Sequence, residues 1–299
     1  MITFEEYSRI CEDIKRDGFN TSFIVDYDCI KEKWEEMIDI NENKMQYADF
    51  NSKNLILSYL FALRWGITSL AVADKDNDRY MMAFQGLFST ISNTIISIIK
   101  LAIDGLDYQA FILIRNLYEL CFTLLAIIID PIKRKVLVDG SIAEDEYNTW
   151  KKNFTFKHLD ATIRTYENRI SDIESDSFLN TWRKNSYSKF SSYAHNDFVS
   201  FFLYGFALPV DDTDKLELNL WGVISSRVDS ITGNINALLW YTELVFIRLL
   251  TDKTVDLKKE ELCKAKDGQD FWNLASFVGI LSKEYYIQVR ENEEIKGKD

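Results

Sequence analysis

The sequence predicts an all-α fold, a multi-helix bundle around a central antiparallel hairpin of two long apolar helices. Three observations predict it. Proline occurs twice and glycine 11 times in 299 residues, so few breaks are enforced on a helical chain. Residues 79–103 and 106–129 are two long apolar stretches separated only by Asp104-Gly105, a connection short enough to force neighbouring antiparallel helices. No run of alternating β-branched residues asks for a sheet, and the piece closest to one, Phe201 to Phe206, is ambiguous.

Taken in chain order, residues 4–16 read as a short helix closed by Asp17-Gly18, because glycine commonly supplies the left-handed residue after a helix. A second helix starts near Asp28, with Ile30, Trp34, Met37 and Ile38 on one side. A third covers 52–73, with Leu55, Tyr59, Ala62, Leu63, Gly66, Ile67 and Leu70 as its apolar stripe. The polar run 74–78 is a turn. The second helix of the hairpin is apolar nearly all round, which calls for helices on every side of it. Asp130-Pro131 ends it, since the residue before proline is pushed out of the α region. Residues 133–139 make a short helical turn, and 143–170 form one amphipathic helix. Ser175 to Ser177 would cap a helix running to about Phe206. After a loop at 208–214, helices are expected over 216–250 and 270–290. The organisation is an N-terminal helical extension over 1–50, the main bundle over 51–290, and a charged, fraying tail over 291–299.

With 47% hydrophobic residues the chain can bury a sizeable core. The tryptophans (Trp34, Trp65, Trp150, Trp182, Trp221, Trp240 and Trp272) are scattered like core anchors rather than gathered as a base-stacking platform. Cys11, Cys29, Cys121 and Cys263 are far apart, and the two histidines are His158 and His195. That distribution suits reduced thiols in a cytoplasmic protein and no metal or other cofactor. The N-terminus has early acids and no basic-then-apolar leader. Residues 110–129 have the length of a membrane span but carry Arg115, Asn116 and Glu119, so a buried core helix and no membrane partner are expected. The net charge of −12 repels nucleic acid on average. Residues 150–195 reverse the sign, with eight bases (Lys151, Lys152, Lys157, Arg164, Arg169, Arg183, Lys184, Lys189) against five acids. Such a cluster reads first as a solvated face, and alternatively as a local anion or nucleic-acid patch.

The familiar phosphate-loop, dinucleotide, zincin, hydrolase-elbow and EF-hand motifs are absent from the sequence. Two segments remain. In Leu113 to Leu120, Arg115 and Glu119 stand four apart and share one face of an apolar helix. They make either a structural ion pair or a polar pocket where the guanidinium holds an anion and Glu119 orients it. In Tyr187 to Asp197, Tyr187, Ser191 and His195 fall one above another on a helix. An unperturbed imidazole changes charge near neutral pH, which suits His195 to acid/base work, with a satisfied half-buried imidazole as the plainer alternative. His158, among bases, reads as surface.

At these two segments the chain resembles a group of bacterial all-helical proteins. They carry a helix of the rough form Gly, spacer, Ala, spacer, Leu-Leu-Arg-x-Leu-x-Glu, here Gly105, Ala110, Leu113, Arg115, Leu117 and Glu119. A later Ser-spacer-His is here Ser191, Ser192, His195 and Asn196. Some of these proteins resemble the HEPN (higher eukaryotes and prokaryotes nucleotide-binding) superfamily, whose active members are metal-independent ribonucleases of toxin–antitoxin and antiphage systems. The likeness covers about 100 residues. Those ribonucleases place arginine four to six residues before histidine, whereas Arg183 lies 12 before His195. The implied pair is therefore composite. Arg115, Glu119 and His195 would be catalytic, and Tyr187, Ser191, Asn196, Lys184 and Lys189 would bind substrate. The resemblance implies an RNA or nucleotide substrate and a homo-oligomer, most simply a dimer. The other reading is a non-catalytic helical regulator that binds another protein.

Overall fold

The computed structural model of the chain describes residues 53–72, 78–140, 145–170, 178–194, 206–207, 217–218, 227–257, 259–263 and 266–296, with a few isolated helical positions before them. The described chain is a bundle of α-helices: α1 (Lys53–Ala71), α2 (Arg79–Ile103), α3 (Asp107–Ile129), α4 (Pro131–Gly140), α5 (Glu146–Phe154), α6 (Phe156–Ile170), α7 (Phe178–Ala194), α8 (Arg227–Thr251), α9 (Lys259–Leu262) and α10 (Lys266–Lys296). One antiparallel pair of two-residue strands joins them, β1 (Phe206–Ala207) with β2 (Glu217–Leu218). The expected extension over 1–50 lies outside the described residues.

Local signals set the ends of the two long helices. Asp78 caps α2 by accepting from the Tyr80 amide at 2.9 Å. Gly105, at φ 70°, takes the left-handed conformation that turns the chain toward α3. Asp130 leaves the helical region before Pro131, and its carboxylate accepts from the Ile132 amide at 2.9 Å to start α4. By length and composition α2 and α3 would each cross a bilayer. Here packing takes up their apolar sides. α3 is flanked by α2, α4, α6, α7 and α8, and Leu117, Phe122, Leu124 and Leu125 are fully buried. The outward stripe of α2 is Arg79, Thr90, Asn93, Ser97 and Lys100, with Met82 and Gly86, which is a water-facing pattern.

α1 lies against α2, α8 and α10. Small and polar side chains set its register. Ser92 Oγ donates to the Ala62 carbonyl at 2.8 Å, and Ser69 Oγ donates to the Gln85 carbonyl at 2.9 Å. Ser58 Oγ donates to Asn236 Oδ1 at 2.8 Å, while Asn236 Nδ2 donates to the Asn54 carbonyl at 2.8 Å. α10 runs antiparallel to α1, with Gly268 beside Ala71, Ala275 and Val278 beside Ile67, and Gly279 beside Arg64. A Cβ at Gly268 would stand 2.6 Å from the Ala71 carbonyl oxygen, and backbone cannot swing aside. Gly268→Ala should therefore lower stability by about 1–3 kcal/mol, outweighing alanine's helix preference of about 1 kcal/mol; a urea midpoint shifted downward checks this.

Several expectations change in three dimensions. The predicted helix over 143–170 is two, broken at Thr155, whose backbone is extended at φ −67°, ψ 153°. On either side of the break, Phe154 lines a cleft with residues of α2 and α3 while Phe156 stacks on Tyr187 of α7. The helix expected from 216 is described from Arg227, and Glu217 and Leu218 pair with Ala207 and Phe206 instead. The helix expected to reach 206 is described as far as Ala194, and the 208–214 loop lies outside the described residues. The charged tail remains helical to Lys296. The apolar stripe assigned to α1 divides. Leu55, Ala62 and Ile67 are buried, whereas Tyr59, Leu63 and Leu70 face outward. α1 is apolar around most of its circumference, and its neighbours cover only part of it.

That outward surface continues onto α10. From 56 to 70 on α1 and from 271 to 281 on α10, every exposed residue is uncharged. It includes Ile56, Leu63 (51% exposed), Leu274 and Phe277 (64% exposed). Trp65 and Trp272 are buried, as core anchors should be, but Trp150 is 44% exposed.

Candidate functional site

The predicted Arg115/Glu119 pair forms on α3, Arg115 Nε lying 3.4 Å from Glu119 Oε1. Neither is sealed in the core; their side chains are 30% and 26% exposed. The pair therefore escapes the penalty that full burial of charges would carry. Tyr187 on α7 joins it. Its hydroxyl donates to Glu119 Oε1 at 2.8 Å, and the Arg115 guanidinium lies 5.9 Å from its ring centroid. The Phe156 ring stacks on Tyr187 at 3.7 Å between centroids and 3° between planes, which holds the phenol in position. Three of the predicted site residues, from two helices, thus meet at one place.

Ser191, one turn beyond Tyr187, is half-buried, and Lys184 and Lys189 are exposed on α7. His195 and Asn196, which follow Ala194 at the end of α7, lie outside the described residues. His158 is exposed, as expected. Arg183 is not part of a basic surface. It is fully buried, with Nε donating to Asp160 Oδ1 at 3.0 Å and Nη1 to both Glu167 oxygens at 2.7 and 2.6 Å. The Tyr241 hydroxyl donates to the same Glu167 at 2.7 Å. The run over 150–195 stays positive without this cluster, since burying Arg183 with Asp160 and Glu167 withdraws one base and two acids from it.

Glu119 also lines an open cleft of about 450 Å³ between α2, α3, α4 and α5. Thr90, Asn116, Glu119 and Thr123 give it one polar side; Leu87, Leu120, Trp150 and Phe154 give it an apolar one. Sequence reasoning missed Asn116, Trp150 and Phe156 as members of this neighbourhood. The signal for Asn116 was its place beside Arg115 on an otherwise apolar helix. A fixed carboxylate, an indole and amide or hydroxyl groups around such a volume suit a planar molecule carrying N–H donors.

Burial, and then the hydrogen bond to the Glu119 carboxylate, push the Tyr187 hydroxyl above its ordinary value near 10, while Arg115 opposes the shift. The raised value means that the neutral phenol is the form the fold favours. Its stabilisation is complete below the unfolded-state pKa and is lost as pH climbs through the folded one. Tyr187→Phe should accordingly cost about 1–2 kcal/mol between pH 6 and 9, and the gap to wild type should close above about pH 10. Urea melts across that range measure it.

Fold and site together define an all-α bundle with a partly exposed Arg–Glu–Tyr cluster beside an amphiphilic cleft. No family model matches this chain, and no curated protein or solved structure gives a significant match.

Proposed function

We propose that this chain is a HEPN-like RNA- or nucleotide-directed effector of bacterial antiphage or toxin-type defence, acting in the cytoplasm, with Arg115, Glu119 and His195 as its composite site. The observation that carries the reading is the Tyr187–Glu119 hydrogen bond. It ties the helix that leads into His195 to the helix that bears the cation and carboxylate. In this reading the neutral His195 imidazole takes the proton of a ribose 2′-hydroxyl as that oxygen attacks the adjacent phosphorus. The 5′-oxygen leaves and takes a proton from water, giving a 2′,3′-cyclic phosphate and a 5′-hydroxyl. Arg115 steadies the phosphate oxygens, and Glu119 with Tyr187 holds the guanidinium in place. Exposed Lys184 and Lys189 on α7 would draw the polyanion in.

The test is purified protein with total RNA in the presence of a chelator, beside His195→Ala and Arg115→Ala. Cleavage with cyclic-phosphate ends, reduced at least a hundredfold in both variants, is expected. Equal cleavage by all three proteins ends this reading. A second one, a non-catalytic helical protein that binds another protein, is favoured by the net charge of −12, which repels RNA.

A further inference from the structure

We infer that the outward face of α1 and α10 is the interface through which two copies of this chain pair. The face is made by Ile56, Tyr59, Leu63 and Leu70 from α1, and by Phe271, Leu274, Phe277, Ile280 and Leu281 from α10, all exposed. The antiparallel packing of the two helices makes these residues one continuous surface, because Ala71 lies beside Gly268 and Arg64 beside Gly279. Asn273 is the one strongly polar residue exposed within 271–281, and neither stretch exposes a charge.

Size and charge single out a second copy as the occupant. Large side chains bury 150–250 Å² each when covered, so nine of them at these exposures leave on the order of 800 Å² in water. That exceeds the apolar patch a monomer ordinarily shows and equals what each partner contributes to a standard stable interface, about 800 Å². Two chains of −12 each repel one another over most of their surface. An uncharged face lets them meet without setting like charges against each other, and this face is such a place. A two-fold axis across it would set α1 and α10 of one copy on α1 and α10 of the other, a four-helix arrangement whose core is the exposed apolar side chains. Leu63 and Phe277, the most exposed of the set on their helices together with Leu70, would lie near its middle. The pairing does not depend on whether the chain cleaves RNA.

Light scattering or sedimentation of the full purified chain tests the inference. A mass twice the chain's 35.0 kDa is expected at about 10 μM and above. Leu63→Asp and Phe277→Asp should each raise the dimer dissociation constant at least about thirtyfold, while Asn93→Asp on the polar stripe of α2 leaves it unchanged. Leu63→Gln and Phe277→Gln, with circular dichroism of every variant, separate lost pairing from lost folding. A wild-type chain that stays monomeric at about 50 μM, a dimer unaffected by both face variants, or a chain kept in solution only by detergent would each overturn it.

Discussion

Arg183→Met should lower the stability of the fold by about 3–5 kcal/mol, the cost of stripping the cation from a buried ion cluster. Asp160 and Glu167 are 5% and 8% exposed. With Arg183 gone, Glu167 keeps the Tyr241 hydroxyl at 2.7 Å, but both carboxylates lose the guanidinium that holds them at 2.6–3.0 Å. In a bundle of this size the melting temperature should fall by roughly 10 °C, read by thermal or urea unfolding. Arg183→Lys should recover only part of the loss. An ammonium is a point charge and cannot fork to Asp160 through Nε and to Glu167 through Nη1 at once. Replacing all three ionic residues by apolar ones of similar volume should restore most of the stability, because a buried cluster mainly repays its own desolvation.

A comparable effect belongs to the second buried pair. Arg64 and Glu243 are each 2% exposed, with Nε and Oε1 3.0 Å apart, and Arg64 Nη1 also donates to Thr68 Oγ1. Arg64→Met should cost about 3–5 kcal/mol by leaving the Glu243 carboxylate buried without its cation. The neighbouring helix has been kept clear for this pair. A Cβ at Gly279 would stand 2.6 Å from Glu243 Oε1 and 2.8 Å from Arg64 Nε. Both atoms are locked in the core, so Gly279→Ala should cost about 1–3 kcal/mol by prising the pair apart. In an Arg64→Met, Glu243→Leu background the same alanine meets different neighbours, and its cost should change by more than the roughly 0.5 kcal/mol expected of independent sites. Unfolding of the four proteins in a mutant cycle reads that coupling. Additive costs would show that the glycine serves α10 alone.

Both clusters left traces in the sequence. Arg64 is the single charge between 54 and 71 of an apolar helix, and Glu243 sits among Leu238, Leu239, Leu244 and Phe246. A lone charge inside an apolar helix needs a partner, which the spacing cannot name when the partner lies 179 positions away. Arg183 was harder to recognise. Apart from Trp182 its neighbours in sequence are polar or basic, and only the fold reveals that it points inward between α6 and α8. The candidate site was legible in part. The four-residue spacing of Arg115 and Glu119 placed them on one helical face, and Tyr187 was singled out for its own helix. That the two faces meet was not written in either spacing.

By itself the sequence determined the helical class and the limits of α2 and α3, because proline, glycine and capping aspartates act on the backbone within a few residues of themselves. The tertiary structure alone decided which side of an all-round apolar helix such as α1 is covered, which charges are buried, and that Tyr187 reaches Glu119. Those outcomes depend on which helices become neighbours, and that is settled by the packing of residues far apart in the chain rather than by any local preference.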